Sequence, residues 1–245
     1  MTSSPCQVCG SPDHEPYPTP PPYKAARCRG CGFIWLDPLP TDAERAELYS
    51  DPYEGATTSY FAKVDKKMRR SRGRAGWLAR RAPSKGRFLD VGCSGGFMVE
   101  SMRERGFEAH GLDLDSHSID FAKKTFPACH FVTMPVEPYA EGTDLKFDAI
   151  YSSEVIEHVT DANGFIAAIA SLLKPGGVFF VTTPDINHWR RPKDLLKWDG
   201  YSPPSHCLYF GPKNMPILMA RHGMKLKHRR PSFKPGIKML FQKAG

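Results

Sequence analysis

The sequence lacks a long apolar run and a recognisable export signal. None of its apolar runs approaches the roughly 18 positions that a membrane-spanning helix needs. The first residues, MTSSPCQVCG, lack the basic segment followed by an apolar one that marks a secretory signal. We therefore expect a cytoplasmic protein with no membrane span.

Acidic residues are also the minority among the charged ones. The chain of 245 residues has 34 lysines and arginines against 26 aspartates and glutamates, a formal net charge of +8. This balance is compatible with an anionic partner such as nucleic acid, a nucleotide-linked substrate or a membrane surface. Much of the charge is concentrated in two segments, residues 66–81 and 225–230. Because charge runs usually lie on solvated faces, nucleic acid is the less favoured partner.

Cysteine spacing predicts a metal site rather than disulfides, which are rare in the cytosol. Cys6-x2-Cys9 is followed after 18 residues by Cys28-x2-Cys31, the pattern of a four-thiolate zinc site. The proline-rich loop between the pairs could not form a core without an ion. Four thiolates leave no open coordination position, so we predict a structural zinc ribbon over residues 1–40.

From Arg87 onward, short apolar runs alternate with helical patterns. Strands are predicted at RFLDV, FEAHGLD, HFVTM, FDAIYSS and VFFVTT, with helices from Phe97, from Ser116 or Ser118, and over 162–173. Repeated strand and helix units imply an α/β fold with a doubly wound, mostly parallel sheet. The segments MKLKHRR and GIKMLFQKA are predicted to close it as an antiparallel hairpin.

The stretch LDVGCSGG, residues 89–96, has two interpretations. Gly-x-Ser-x-Gly would make Ser94 the nucleophile of a hydrolase, whereas Asp-x-Gly-x-x-x-Gly is a turn that binds a nucleoside cofactor. A hydrolase nucleophile follows several strands, but this stretch ends the first strand of the domain. Asp113 lies 21 residues after Gly92, near the offset at which an acidic residue binds ribose hydroxyls. The cofactor turn is therefore favoured.

Four motifs, FLDVGCSGG, HGLDLD, FDAIYSSEVIEHV and LLKPGGVFFVTTPD, occur in order between residues 84 and 184. Together they resemble class I S-adenosylmethionine-dependent methyltransferases, which implies a Rossmann-like fold over residues 84–245 and S-adenosylmethionine as cofactor. Ser94 departs from the family, which often has glycine there. A dinucleotide oxidoreductase shares the fold, but the EVIEHV and KPGG blocks favour the methyltransferase.

The resemblance implies a set of cofactor-binding residues. The amino-acid end of the cofactor is expected against Asp90 and the run Gly92, Cys93, Ser94, Gly95 and Gly96. Asp113, followed by Leu114, is expected to bind both ribose hydroxyls, and Met134, Pro135 and Val136 to edge the adenine. Ser153 and Glu154 are expected to face the sulfonium and methyl group.

Two histidines are candidates for the catalytic base, which methyl transfer requires only if the acceptor carries a proton. His206 lies in SPPSHCLYFGPKNM, which resembles the lid of bacterial methyltransferases of small molecules and sugars. We expect it to be the general base or to orient the acceptor, with His158 as the second candidate. A structural His206 that only holds the lid is the alternative.

Helical spacing would put Glu154, Glu157 and His158 on one face. With the distant His206, they also resemble the magnesium site of small-RNA 2′-O-methyltransferases. Hard cations favour several oxygen ligands, and two carboxylates are a minimal set. Magnesium is therefore possible but less favoured.

Two segments are candidate lids over the substrate. Thr41 and Glu44 are predicted to form a capping box that opens a helical lid or linker over residues 41–83. Substrate-binding aromatic residues are predicted there and in an insertion over 185–210: Tyr49, Tyr53, Tyr60, Trp189 and Trp198. The sequence thus predicts methyl transfer to a small molecule or nucleotide-linked sugar in a biosynthetic pathway, the alternative being a nucleic-acid-binding protein or a metal-dependent RNA 2′-O-methyltransferase.

Overall fold

The computed structural model of the protein describes residues 5–41, 43–44 and 64–245. A small antiparallel sheet contains the strands β1 (His14–Tyr17), β2 (Ala25–Cys28), β3 (Ile34–Leu36) and β9 (Leu208–Tyr209), in the order β1-β2-β3-β9. The first three strands come from the predicted zinc ribbon, but the fourth comes from the far end of the chain.

The larger sheet confirms the predicted fold class. Its strands are β4 (Arg87–Val91), β5 (Glu108–Asp113), β6 (His130–Thr133), β7 (Phe147–Ser153), β8 (Leu173–Thr183), β10 (Met224–Arg229) and β11 (Ile237–Lys243). They lie in the order β10-β11-β8-β7-β4-β5-β6, and β4 pairs in parallel with both β5 and β7. The chain runs outward from β4 to β6 and then returns to β7, so the strand order reverses beside β4. Open α/β sheets bind ligands at the carboxyl ends of the strands at such a reversal.

The helices are α1 (Val64–Ala79), α2 (Phe97–Arg103), α3 (Ser116–Thr125), α4 (Val136–Glu141), α5 (Ala162–Leu172) and α6 (Met215–Arg221), with a 3₁₀ turn at Leu195–Lys197. Helix α3 begins at Ser116, one of the two predicted starts. Asp115 is its N-cap and accepts from the backbone N–H of His117, while Ser118 donates to the same carboxylate. Helix α4 was not predicted, because six residues are too few to show a helical period.

The chain forms two compact units. The described residues of the first unit are 5–41, 43–44, 154–167 and 181–241, and those of the second are 64–153, 168–180 and 242–245. Among the described residues, no helix combines the length and the apolar character needed to cross a bilayer.

Several cations of the first basic segment have partners within the second unit. The contacts are Arg72 with Glu104, Arg74 with the Tyr151 hydroxyl, Lys67 with the Phe97 ring and Arg81 with the Trp77 ring. These side chains serve packing on and around α1, as expected of an amphipathic helix with long basic side chains. In the second basic segment, strand β10 has one buried residue, Met224, and its other residues are exposed.

Asp148 in β7 organises the amino-terminal ends of the strands. It is buried and accepts hydrogen bonds from the Ser84 hydroxyl at 2.6 Å, the Arg87 backbone N–H at 2.8 Å and the Lys174 ammonium at 2.7 Å. Burial alone would raise the pKa of Asp148, but the hydrogen bonds from Lys174, Ser84 and Arg87 outweigh it and lower the pKa below its ordinary value. A Cβ atom on Gly86 would overlap this carboxylate, so glycine is required there.

We expect Asp148→Ala to lower the free energy of unfolding at pH 7 by about 2–4 kcal/mol, because three donors lose a buried acceptor. The pKa of Asp148 is depressed in the folded state, so its stabilisation is complete above the ordinary pKa of about 4 and is lost as the pH falls through the lower folded-state pKa. Urea unfolding at several pH values measures the difference. Arg72→Ala, which removes an exposed ion pair, is the control and should cost much less stability than Asp148→Ala. A difference between wild type and Asp148→Ala that stays constant down to the lowest pH would contradict this account.

Candidate functional site

The turn after β4 has a backbone that favours glycine. Gly92, Ser94 and Gly96 have φ angles of 80°, 45° and 76°, in the left-handed region. Ser94 adopts this region at the position where the resembling family often has glycine, at a modest cost to a residue with a Cβ atom. A Cβ atom on Gly96 would lie 2.7 Å from the Phe131 ring, so glycine at this position allows the start of α2 to pack closely against Phe131 in β6. Because β4 is the first strand of its sheet, the turn fits a cofactor turn better than a hydrolase nucleophile.

Asp113, at the end of β5, braces this turn. Its Oδ2 accepts from the Ser94 backbone N–H at 2.7 Å, and its Oδ1 accepts from the Asp115 backbone N–H at 3.0 Å. Burial is the main reason that the pKa of Asp113 is raised. Each carboxylate oxygen has two lone pairs, so both can still accept from a hydroxyl of a ligand.

Asp90 lies in β4 just before this turn and is only 3% exposed. Burial, followed by the charge of Asp113, raises its pKa well above the ordinary value. Within the described part of the chain, Asp90 Oδ1 and the Ser152 hydroxyl on neighbouring β7 have no hydrogen-bond partner. Unpartnered buried oxygens are rare and costly, and a ligand with an ammonium group or a hydrogen-bond donor would satisfy them.

Two apolar side chains are exposed beside Asp113. Leu114 is 52% exposed and Met134 is 37% exposed, and the Met134 N–H donates to the Asp113 carbonyl at 3.1 Å. Pro135 is exposed as the N-cap of α4, whereas Val136 is buried in the core. Of the three residues expected at the adenine, Met134 thus presents an apolar surface next to the carboxylate, and Val136 does not reach the surface.

The segment after β7 is a turn and not a helix. Ser153 is half-buried, and the next residue, Glu154, has a φ of 58°, which is unusual for a residue with a side chain. Glu154 accepts from the Thr182 hydroxyl at 2.9 Å, and the His158 N–H donates to the Val155 carbonyl at 2.9 Å. Such backbone strain often marks a functional segment.

Glu157 is a buried acid in this turn, only 1% exposed. Burial, followed by the charge of Glu154, raises its pKa to about 8. Its Oε2 accepts from the Thr183 hydroxyl at 2.9 Å. At neutral pH the Glu157 carboxyl is therefore mostly protonated.

The two candidate histidines are in contact. The rings of His158 and His206 are 4.5 Å apart between centroids and nearly perpendicular, at 84°. His158 Nδ1 lies 2.9 Å from the Ser205 carbonyl, and His206 Nδ1 lies 3.2 Å from the Gly200 carbonyl. A carbonyl only accepts, so each Nδ1 carries the proton and each Nε2 is the basic nitrogen. Burial lowers the pKa of His206, which keeps it neutral at pH 7.

Three of the four residues of the possible magnesium set come together. Glu157, His158 and His206 each offer a ligand atom within 4.8 Å of the others, and Glu154 is not part of this group. Two nitrogen donors and one carboxyl suit a transition metal better than magnesium, which prefers oxygen ligands.

The other predicted substrate contacts differ in their surroundings. Trp189 is 81% exposed and stacks on His188, and Trp198 is half-buried against Gly200.

The capping box is confirmed, because the Thr41 backbone N–H and hydroxyl both donate to Glu44 and the Glu44 N–H donates to Thr41 Oγ1. The predictions for Tyr49, Tyr53 and Tyr60 lie outside the described residues.

The four cysteines of the predicted zinc site form one cluster. Their sulfurs lie within 4.8 Å of one another, with Cys6 to Cys31 at 3.6 Å and Cys9 to Cys28 at 3.5 Å. Tetrahedral zinc with bonds of about 2.3 Å to sulfur spaces the ligands by about 3.8 Å, so the geometry fits. Gly10 and Gly32 close the two knuckles with N–H bonds to the Cys6 and Cys28 carbonyls and φ angles of 75° and 73°.

The sequence did not indicate how this cluster joins the rest of the first unit. The Gln7 side chain donates to the Thr160 carbonyl at 2.8 Å and accepts from the Ala162 N–H at 2.7 Å, and strand β9 pairs with β3. The apolar run 207–210 was a signal for the strand, although not for its partner. Nothing in the pattern distinguished Gln7 from an ordinary knuckle residue.

Comparison with known proteins gives consistent matches. A family model described as a methyltransferase domain matches residues 60–229. The chain is 36% identical over 120 residues to a ubiquinone biosynthesis O-methyltransferase of Paracidovorax citrulli, covering 46% of this chain and 50% of the relative. It is 31% identical over 164 residues to the protein of that name from Pectobacterium carotovorum, covering 53% of this chain and 68% of the relative. The chain thus spans about half the length of the first of these curated relatives.

A solved structure extends the likeness in fold. The 1,6-didemethyltoxoflavin-N1-methyltransferase of Burkholderia thailandensis superposes with a TM-score of 0.59 at 19% identity, covering 94% of this chain and all of that one. The family match spans more than half of the chain and includes the turn after β4, Asp113 and both candidate histidines. The chain therefore belongs to the methyltransferase domain family.

Proposed function

We propose that the protein transfers a methyl group from S-adenosylmethionine to a hydroxyl oxygen of a small molecule. The observation that carries the proposal is the polar lining of the turn after β4, where Asp90 has an unpartnered buried oxygen and Asp113 two oxygens with spare lone pairs. An ammonium group and a ribose diol would satisfy them. Leu114 and Met134 beside Asp113 suit the flat adenine ring. S-adenosylmethionine, when bound, would supply an electrophilic methyl group on a sulfonium.

The names of the curated relatives support oxygen as the acceptor atom. A hydroxyl acceptor must lose its proton as the new bond forms, which a positioned base assists. We assign this role to His206, whose Nε2 is unprotonated because its Nδ1 donates to the Gly200 carbonyl. The His158 ring packs against it and limits its rotation.

Nucleotide-linked sugars and planar molecules with a negative group are the acceptors that we favour. Trp189 stands exposed with the Arg190 guanidinium 5.3 Å from its ring centre, and an aromatic ring beside a cation can bind a flat or sugar-like anion. RNA 2′-O-methylation with magnesium receives less support, since the assembled set offers two imidazoles and one carboxyl, whereas magnesium prefers oxygen ligands.

The cysteine cluster is proposed to hold one structural zinc ion. All four positions of a tetrahedral ion would be filled by thiolates, so the ion would have no open site for catalysis.

The zinc assignment predicts about one tightly bound zinc ion per chain. Replacing Cys28 by serine should abolish this zinc, because one of the four thiolates is lost. Elemental analysis of purified wild type and variant measures it, and Cys129→Ser, outside the cluster, is the control. A wild-type protein free of zinc, whose four thiols all react rapidly in the folded state, would refute the assignment.

If the turn after β4 binds the cofactor, substitutions of Asp113 and Ser94 should affect cofactor binding differently. Asp113→Ala should weaken binding of S-adenosylmethionine by about 1.5–3 kcal/mol, because hydrogen bonds to a charged acceptor are lost. Ser94→Ala should change it little, because only the backbone of Ser94 contacts Asp113. Isothermal titration calorimetry measures both. The reverse order, together with an esterase activity that Ser94→Ala abolishes, would restore the hydrolase interpretation.

His206→Ala should lower turnover by about 10²–10⁴-fold, the usual effect of removing a general base, with cofactor affinity unchanged. Because burial lowers the pKa of His206, the wild-type rate should fall only below about pH 6.5, where the imidazole becomes protonated. Transfer of isotope-labelled methyl groups to a panel of planar hydroxylated acids and nucleotide sugars provides the assay. His228→Ala, at an exposed position on β10, is the control. A His206→Ala variant with the wild-type rate and pH profile would exclude His206 as the base.

A further inference from the structure

The strand that follows His206 is part of the cysteine module, by which we mean residues 6–36. Strand β9 pairs antiparallel with β3, with Ile34 opposite Tyr209 and Trp35 opposite Leu208. The Leu36 N–H donates to the Cys207 carbonyl at 2.9 Å. His206 is thus the residue immediately before a stretch whose backbone is held by the module.

Apolar packing reinforces this pairing. The Phe33 ring lies 5.0 Å from the Phe210 ring, centroid to centroid, and both are fully buried. Cys207 and Leu208 are also fully buried. Separating residues 207–210 from the cysteine module would expose several large apolar side chains to water, which is unfavourable.

The same strand holds the turn that contains His158. The N–H groups of Cys207 and Leu208 both donate to the Glu157 carbonyl, at 2.9 and 3.1 Å, and the Cys207 thiol lies 3.1 Å from the Val159 carbonyl. His206 precedes Cys207, and His158 follows Glu157. Each histidine is therefore next to a residue that forms the hydrogen-bonded junction between β9 and the 154–159 turn.

Gln7 holds the other end of that turn. It lies between Cys6 and Cys9 in the first knuckle, and its side-chain amide bonds both to the Thr160 carbonyl and to the Ala162 N–H. Its backbone carbonyl accepts from the Asn163 side chain and from Arg221. These bonds connect the knuckle to the start of α5, four residues after His158.

We infer that the cysteine module positions the pair His158 and His206, with Gln7 as a positioning residue on the His158 side and β3 as the support on the His206 side. The inference rests on the proposed role of His206 and on zinc at the four cysteines. The module's own strands have only four, four and three residues, so loss of the ion should release both attachments.

Hydrogen exchange of the full-length protein tests the metal dependence. Stripping zinc with a chelator should speed amide exchange in peptides covering 156–163 and 205–210 by at least about tenfold, because exchange reports local opening. Peptides of β4 should change by less than about twofold. The inference would be overturned if the amides of residues 205–210 stayed fully protected from exchange after the amides of the two cysteine knuckles had lost their protection.

Substitution of Gln7 tests the positioning without removing metal. Gln7→Ala should shift the ring NMR signals of His158 and His206 and leave the zinc content unchanged, because none of the four thiolates is removed. Gln7→Glu keeps the acceptor for the Ala162 N–H but not the donor to the Thr160 carbonyl, so its shifts should be intermediate. The matched control is Gln242→Ala, which removes an amide bond to the Gly176 carbonyl in the second unit and should leave the histidine signals in place.

The outcomes separate this inference from the proposed function. Failure of the wild type to bind S-adenosylmethionine would refute the function and leave the exchange and NMR results valid. A protein that purifies without zinc would refute the metal dependence, and the Gln7 variants would then decide the positioning role. Unchanged histidine signals in Gln7→Ala would refute that role even in an active enzyme.

Discussion

One backbone oxygen, the carbonyl of Glu157, determines how the candidate acid–base residues are arranged. It accepts from two successive N–H groups of the strand that follows His206, and it belongs to the residue that precedes His158. A carbonyl with both lone pairs used is held more firmly than one with a single bond. The perpendicular contact between the two imidazoles depends on this junction, because each ring is attached within a residue of it.

The two units provide different chemical environments. In the second unit, the turn after β4 presents backbone N–H groups and carboxylates at the carboxyl ends of parallel strands, where nucleoside cofactors bind in this architecture. In the first unit, burial raises the pKa of Glu157 to about 8 and lowers the pKa of His206, so that burial favours the neutral form of both groups. A neutral imidazole can accept a proton directly, without the help of a metal ion or of a second base.

Much of the fold could be predicted from the sequence, because short apolar strands and glycine-rich turns leave local patterns. The strands from β4 to β7 followed from such patterns, and an offset of 21 residues singled out Asp113 as a candidate. The hydrogen bond from the Ser94 N–H to Asp113 was not predicted. The pairing of β9 with β3 could not be predicted, since no local signal states which distant strand completes a sheet. Glu157 was placed in a candidate metal set, but its protonation depends on complete burial, which a sequence does not show. The sequence did not decide between Ser116 and Ser118 as the start of α3, because aspartate and serine are equivalent capping residues.

The origin of β9 also bears on how the protein is made. Strand β3 ends at Leu36, whereas β9 begins at Leu208, so the four-stranded sheet joins segments that are far apart in the sequence. Contacts so distant in sequence close a long loop and form late. During synthesis on the ribosome, β3 emerges long before β9, so one edge of the cysteine module stays uncovered until β9 has followed. Because His206 lies just before that strand, the histidine pair can assemble only after β9 has been translated.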